Sequence, residues 1–162
     1  MRNLIGLIDA ICDVYDRTDF KPNPDGTTHC NQAVHSIASV AFNYNGFRGL
    51  MADDMVQLMA SGGGDWNPIA MEQAQEQANN GSLVVAGMTG ASMGQAHGHV
   101  VVIRPGLQVD SGKYNGPVPR CVNIGACDFI ARGQCGVMTN LPVGINEAFR
   151  IKPQFFVLRS SL

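Results

Sequence analysis

Three side chains in this sequence have the types and spacing for nucleophilic acyl chemistry: Cys30, His99 and Asn123. A cysteine attacks a carbonyl only as its thiolate, so it needs surroundings that favour negative charge or a base that takes its proton. Cys30 begins a stretch in which Cys30, Val34, Ile37 and Ala41 recur at helical spacing, with Thr27 or Thr28 as the expected N-cap. The sulfur is therefore expected in the first turn of a helix, where aligned peptide dipoles favour an anion. The plainer alternative is one more buried cysteine on an apolar stripe.

The candidate base lies in Gln95-Ala96-His97-Gly98-His99, followed by four consecutive β-branched residues, Val100 to Ile103. Such a run reads as a buried strand. Its alternation puts His99, Val101 and Ile103 on one face, and Gly98 is expected to leave space beside the imidazole. A lone histidine at such a position is otherwise a hydrogen-bonded structural residue. The third residue comes from the strand expected over Val118–Ile124, where Cys121, Asn123 and Gly125 share a face. Antiparallel pairing with the His99 strand would bring the Asn123 amide oxygen to one ring N–H and hold the useful tautomer, as in Cys–His–Asn hydrolytic sites. Asn123 as a turn cap is the competing reading. Asp110 and Asp128, both in loop-like sequence, are weaker third residues.

The rest of the chain must position these groups. Its 162 residues suit one domain. With 45% hydrophobic and 15% charged residues there is ample material for a core. A net charge of −2 with scattered Lys and Arg gives no basic face of the kind nucleic acid requires. No apolar run approaches the length of a membrane span. Leu4, Ile8, Ile11 and Tyr15 mark a first amphipathic helix; Asp9 interrupts its apolar stretch, so the segment does not read as a leader peptide. Sec-type export is therefore not expected.

After a Lys21–Gly26 turn come the Cys30 helix, closed by Asn43–Gly46, and a short helix with Met51, Met55 and Met59 facing the core. Asn67-Pro68 is expected to open a further helix that ends at Asn80-Gly81, with Ala70, Ala74 and Ala78 as a close-packing ridge and Glu72 and Glu76 in solvent. Strands are expected at Leu83–Ala86, Gly98–Arg104, Val118–Ile124 and Phe155–Leu158. Helices first and strands later indicate an α+β domain with an antiparallel sheet. Of the five cysteines, Cys12 reads as a small buried hydrophobe, and sequence does not set the pairing of Cys12, Cys121, Cys127 and Cys135. No CxxC pair suggests a zinc ribbon.

Thr28-His29-Cys30-Asn31-Gln32-Ala33-Val34, Leu83-Val84-Val85-Ala86-Gly87 and Gly98-His99-Val100-Val101-Val102 together resemble the papain-like cell-wall hydrolases of the NlpC/P60 and CHAP kind. The resemblance runs from about Thr27 to Gly125 and is strongest to the small amidase effectors of type VI secretion. It implies a papain-like fold spanning residues 1–162, with Cys30 as nucleophile, His99 as base and Asn123 as the third residue. The implied substrate is an amide in the peptide stem of peptidoglycan: the γ-D-glutamyl–diaminopimelate bond first, the muramoyl–L-alanine amide second. It implies no metal or organic cofactor, an immunity protein as partner in the producing cell, and synthesis in the bacterial cytoplasm without a leader followed by action in the periplasm or cell wall, including that of a target cell. Two departures stand out. His29 and Asn31 flank the cysteine where Asp and Ser are commoner, and Cys127–Asn140 has no counterpart.

Two rivals belong to other classes. A metal site would use the His97/His99 pair, with His29, Cys30 and His35 as further ligands. However, His35 sits about 140° around the helix from Cys30. A non-catalytic cell-wall-binding domain of the same fold would instead use Trp66 and Tyr114 for ligand contact.

Overall fold

Unbroken apolar runs such as Leu83–Ala86 and Val100–Ile103 form the centre of a sheet that is covered on both faces. A computed structural model describes residues 2–17, 29–112, 114–124, 143–145 and 149–159. Five helices are described: α1 (Arg2–Arg17), α2 (Cys30–Phe42), α3 (Ala52–Ala60), α4 (Met71–Asn79) and the single turn α5 (Gly90–Met93). The strands are β1 (Trp66–Ile69), β2 (Val84–Met88), β3 (His99–Ile103), β4 (Val109–Ser111), β5 (Gly116–Val118), β6 (Arg120–Val122), β7 (Val143–Gly144) and β8 (Gln154–Leu158). Six of them form one antiparallel sheet in the order β1-β8-β2-β3-β6-β7, and β4 pairs with β5 apart from it. The domain is α+β with an antiparallel sheet, as expected.

Strand parity divides the core. Val85, Val100, Val102, Val122 and Phe156 face a layer made by α1, α2 and α3. Val84, Ala86, Val101, Ile103, Cys121 and Phe155 face the other way, toward Met71, Ala74 and Ala78 of α4 and toward Phe149. Burial on both faces explains why β3 reads as an unbroken apolar run. The N-terminal helices α1, α2 and α3 pack on one face of the antiparallel sheet, and α4 lies on the opposite one. The expected alanine ridge packs in part: Ala74 and Ala78 are buried, but Ala70 is the exposed N-cap of α4, and Glu72 and Glu76 are exposed as expected.

Local signals misled at four places. Asn67-Pro68 does not open a helix: both residues lie in β1, opposite Val157 and Phe156 of β8, and α4 begins at Met71. β1 is an edge strand, where proline's missing N–H costs the ladder little. This strand precedes α4, so the chain is not simply helices and then strands. The run Val118–Ile124 is divided by Pro119 between two different pairings, β5 with β4 and β6 with β3. Met55 and Met59 are fully buried, but Met51, just ahead of α3, is 57% exposed. Trp66 is core, stacked on Phe47 and donating from Nε1 to the Tyr44 hydroxyl at 2.9 Å, so it is not a ligand platform.

Ile8 and Cys12 bury the inner stripe of α1, and Cys12 is the small core residue expected of it. Asp9 has a further role: its Oδ1 accepts from Nε and Nη2 of the buried Arg104 at 3.0 and 2.9 Å. The Lys21–Gly26 turn, Thr27, Thr28, Gly125, Cys127, Asp128, Cys135, the Cys127–Asn140 segment and the side chains of Leu4 and Tyr15 lie outside the described residues. Among the described residues no helix is long and apolar enough to cross a membrane.

Candidate active site

Cys30 is the first residue of α2. The N-cap is His29, whose carbonyl accepts the Ala33 N–H at 3.0 Å. It replaces the threonine expected there and contributes no side-chain cap. The helix carries Ala33, Val34 and Ile37 onto Val100 and Val102, so its axis is fixed by apolar packing and its first turn is held at one end of β3. At the far end Asn43 adopts the left-handed conformation, and the Asn43 and Tyr44 N–H groups close on the Ser39 and Ala38 carbonyls.

His99 is the first residue of β3 and pairs with Met88 of β2. Its parity with Val101 and Ile103 puts the ring toward Phe149, with centroids 5.1 Å apart. Cys30 belongs to the opposite core layer. The two meet because His99 stands at the very start of the strand, where a side chain can reach around its end. β3 pairs with β6 as Val102 with Val122 and Ile103 with Cys121. Asn123 therefore follows directly on the same face as His99. Its Oδ1 accepts from His99 Nε2 at 2.7 Å. An amide oxygen only accepts, so Nε2 carries the proton, and Nδ1 remains for the hydrogen bond to the Cys30 side chain.

Cys30 and His99 are 5% and 4% exposed, and Asn123 is half-buried. Burial of the imidazole works against its charged form. The hydrogen bond and negative charge of Cys30, with a smaller contribution from Asn123, more than offset this and raise the His99 pKa above 6.5.

The structure thus brings Cys30, His99 and Asn123 together. It does not gather the rival metal ligands. His97 lies ahead of β3 on an exposed bend while His99 is buried, so the two do not share a strand face. Among the described residues no three His, Cys, Asp or Glu side chains are arranged to hold a metal. Asp110 is exposed on β4. Tyr114 donates its hydroxyl to the Phe149 carbonyl at 3.3 Å and so supports the residue that backs His99. The space beside Gly98 is not open to the ring: a Cβ there would strike the Asp53 carboxylate and the Met88 carbonyl.

Two contributors escaped sequence reading. Phe149, 1% exposed, walls the imidazole on the side away from α2, but it is 50 residues from His99 in sequence and sits in no periodic pattern. Asp53, in the first turn of α3, accepts the Gly90 N–H at 2.7 Å next to the base-bearing strand. No protein-family model matches this chain, and no curated protein matches it in sequence.

Proposed function

We propose that this chain is a papain-like cysteine hydrolase that cleaves an amide bond in the peptide stem of bacterial peptidoglycan. One arrangement carries the reading: the His99 imidazole, bonded to Asn123 Oδ1 through Nε2 at 2.7 Å, also meets the Cys30 side chain at a helix start. In this reading the Cys30 thiolate attacks the scissile carbonyl carbon, and first-turn N–H groups of α2 hold the oxyanion. The C–N bond then breaks, and imidazolium His99 gives its proton to the leaving amine. Neutral His99 next takes a proton from water, whose oxygen displaces sulfur from the thioester. The products are a carboxylic acid and the regenerated thiolate. Asn123 keeps the ring in the tautomer that serves both steps.

The class of bond comes from the sequence resemblance, with γ-D-glutamyl–diaminopimelate preferred over muramoyl–L-alanine. The same resemblance supports a role as an antibacterial effector, delivered by type VI secretion and restrained in its producer by an immunity protein. A phage lysin is the alternative source. Mass spectrometry of purified muropeptides, incubated with wild type and with Cys30→Ala, tests activity and bond together. Wild type releases fragments split at one stem amide, and Cys30→Ala is slower by a factor on the order of thousands.

The near-complete burial of Cys30 and His99 favours a second reading, a non-catalytic cell-wall-binding domain of the same fold. Uncleaved muropeptides with wild type, together with undiminished peptidoglycan binding by Cys30→Ala, would support it.

A further inference from the structure

The turn that opens α3 touches both halves of the candidate site. Asn31, the residue after Cys30, donates from Nδ2 to the Leu50 carbonyl at 3.0 Å. Asp53, three residues beyond Leu50, accepts the Gly90 N–H through Oδ1 at 2.7 Å. That same oxygen lies against Gly98, the residue before His99, so closely that a Cβ on Gly98 would collide with it. One short turn therefore bonds to the helix that carries the sulfur and to the segment that leads into the imidazole.

That segment needs a support of this kind. Residues 89–98 join β2 to β3, a connection longer than ordinary hairpin loops. It folds back on itself: the Gln95 N–H donates to the Gly90 carbonyl at 2.8 Å. A Cβ on Gly90 would run into the Gln95 carbonyl and the His97 backbone. Asp53 meets both ends of this loop, at Gly90 and at Gly98. The strand's first residue, His99, inherits its position from the second of these contacts. Reactive pairs lose rate steeply with small errors in separation.

We infer that the Leu50–Asp53 turn is a brace that sets the separation of Cys30 and His99, with Asp53 positioning His99 and Asn31 positioning Cys30. The inference rests on Cys30 and His99 being the reactive pair. In it, Asp53 acts as a hydrogen-bond acceptor for Gly90 rather than as a charge, so an asparagine in its place keeps the function.

The test needs no substrate. Full-length protein with 13C-labelled histidine rings reports the His99 titration by NMR. Iodoacetamide alkylation, followed on the Cys30 peptide by mass spectrometry across pH, reports thiolate reactivity. Asp53→Ala should lower the His99 midpoint toward that of Cys30→Ala and slow Cys30 alkylation near neutral pH by about tenfold. Asp53→Asn should keep the wild-type profiles, and Asn31→Ala should shift both in the same direction by less. Wild-type profiles in a folded Asp53→Ala protein would overturn the brace, as would an asparagine variant no better than alanine. If Asp53→Ala does not fold, Asn31→Ala decides: unchanged profiles refute the inference and shifted ones support it. Neither readout depends on cleavage, so a protein inert toward peptidoglycan would sink the hydrolase reading and leave this result standing or falling by itself.

Discussion

The His99 ring is a balance of opposed influences, and the balance can be moved one group at a time. Burial disfavours its charge, while the hydrogen bond and charge of Cys30 and the hydrogen bond of Asn123 outweigh that burial. Cys30→Ala removes the larger of the favourable contributions, so NMR should find the imidazole midpoint lower than in wild type. Asn123→Ala should lower it less. The sign carries over to stability. With its folded-state pKa raised, His99 stabilises the fold in full below pH 6.5, and this contribution fades as pH rises through the raised value. At this scale the sequence was informative about Cys30, His99 and Asn123, because strand alternation puts His99 and Asn123 on matching faces. It was silent about Phe149 and Asp53, whose roles arise only from long-range packing and a side-chain-to-backbone bond.

At the scale of elements, β3 is fixed at its two ends by different means. His99 and its loop hold one end. At the other, the buried Gln75 of α4 donates to the Arg104 carbonyl at 2.9 Å and accepts the Arg120 N–H at 3.0 Å. One amide thus spans the β3–β6 pair where the ladder stops. Gln75→Leu would leave a carbonyl and an N–H unsatisfied, and urea denaturation should show a loss of about 2–3 kcal/mol. Which elements exist was largely readable from apolar periodicity, but their boundaries and partners were less so. Asn67-Pro68 carries strong local helix-start chemistry, yet pairing of Trp66 to Ile69 with β8 overrides it. Pro119 splits a continuous β-like run because it separates residues that serve two different partners. The amphipathic pattern of α4 specifies a buried stripe but not which face of the sheet receives it.

For the molecule as a whole, the division into two core layers places the candidate site at the end of the sheet, where a residue from each layer meets. α1 is tied to this architecture by Ile8, Cys12 and the Asp9–Arg104 pair. Arg104 has a side chain 6% exposed, whereas Asp9 is 41% exposed and partly screened by solvent. Asp9→Ala removes two hydrogen bonds and a counter-charge from a buried guanidinium, and urea denaturation should register a cost of about 1–2 kcal/mol. Asp9 was legible only as an interruption of an apolar stretch, because its partner is 95 residues away in sequence.

The central claim, that the Cys30 sulfur forms a covalent bond to the substrate carbonyl, has a direct test. Wild-type protein is mixed with purified muropeptides, quenched in acid within a turnover, and mapped by peptide mass spectrometry. The account predicts an acyl mass added to the Cys30 peptide that disappears as product accumulates and never forms in Cys30→Ala. Cleavage products formed at the wild-type rate by Cys30→Ala, with no adduct on any peptide, would contradict it.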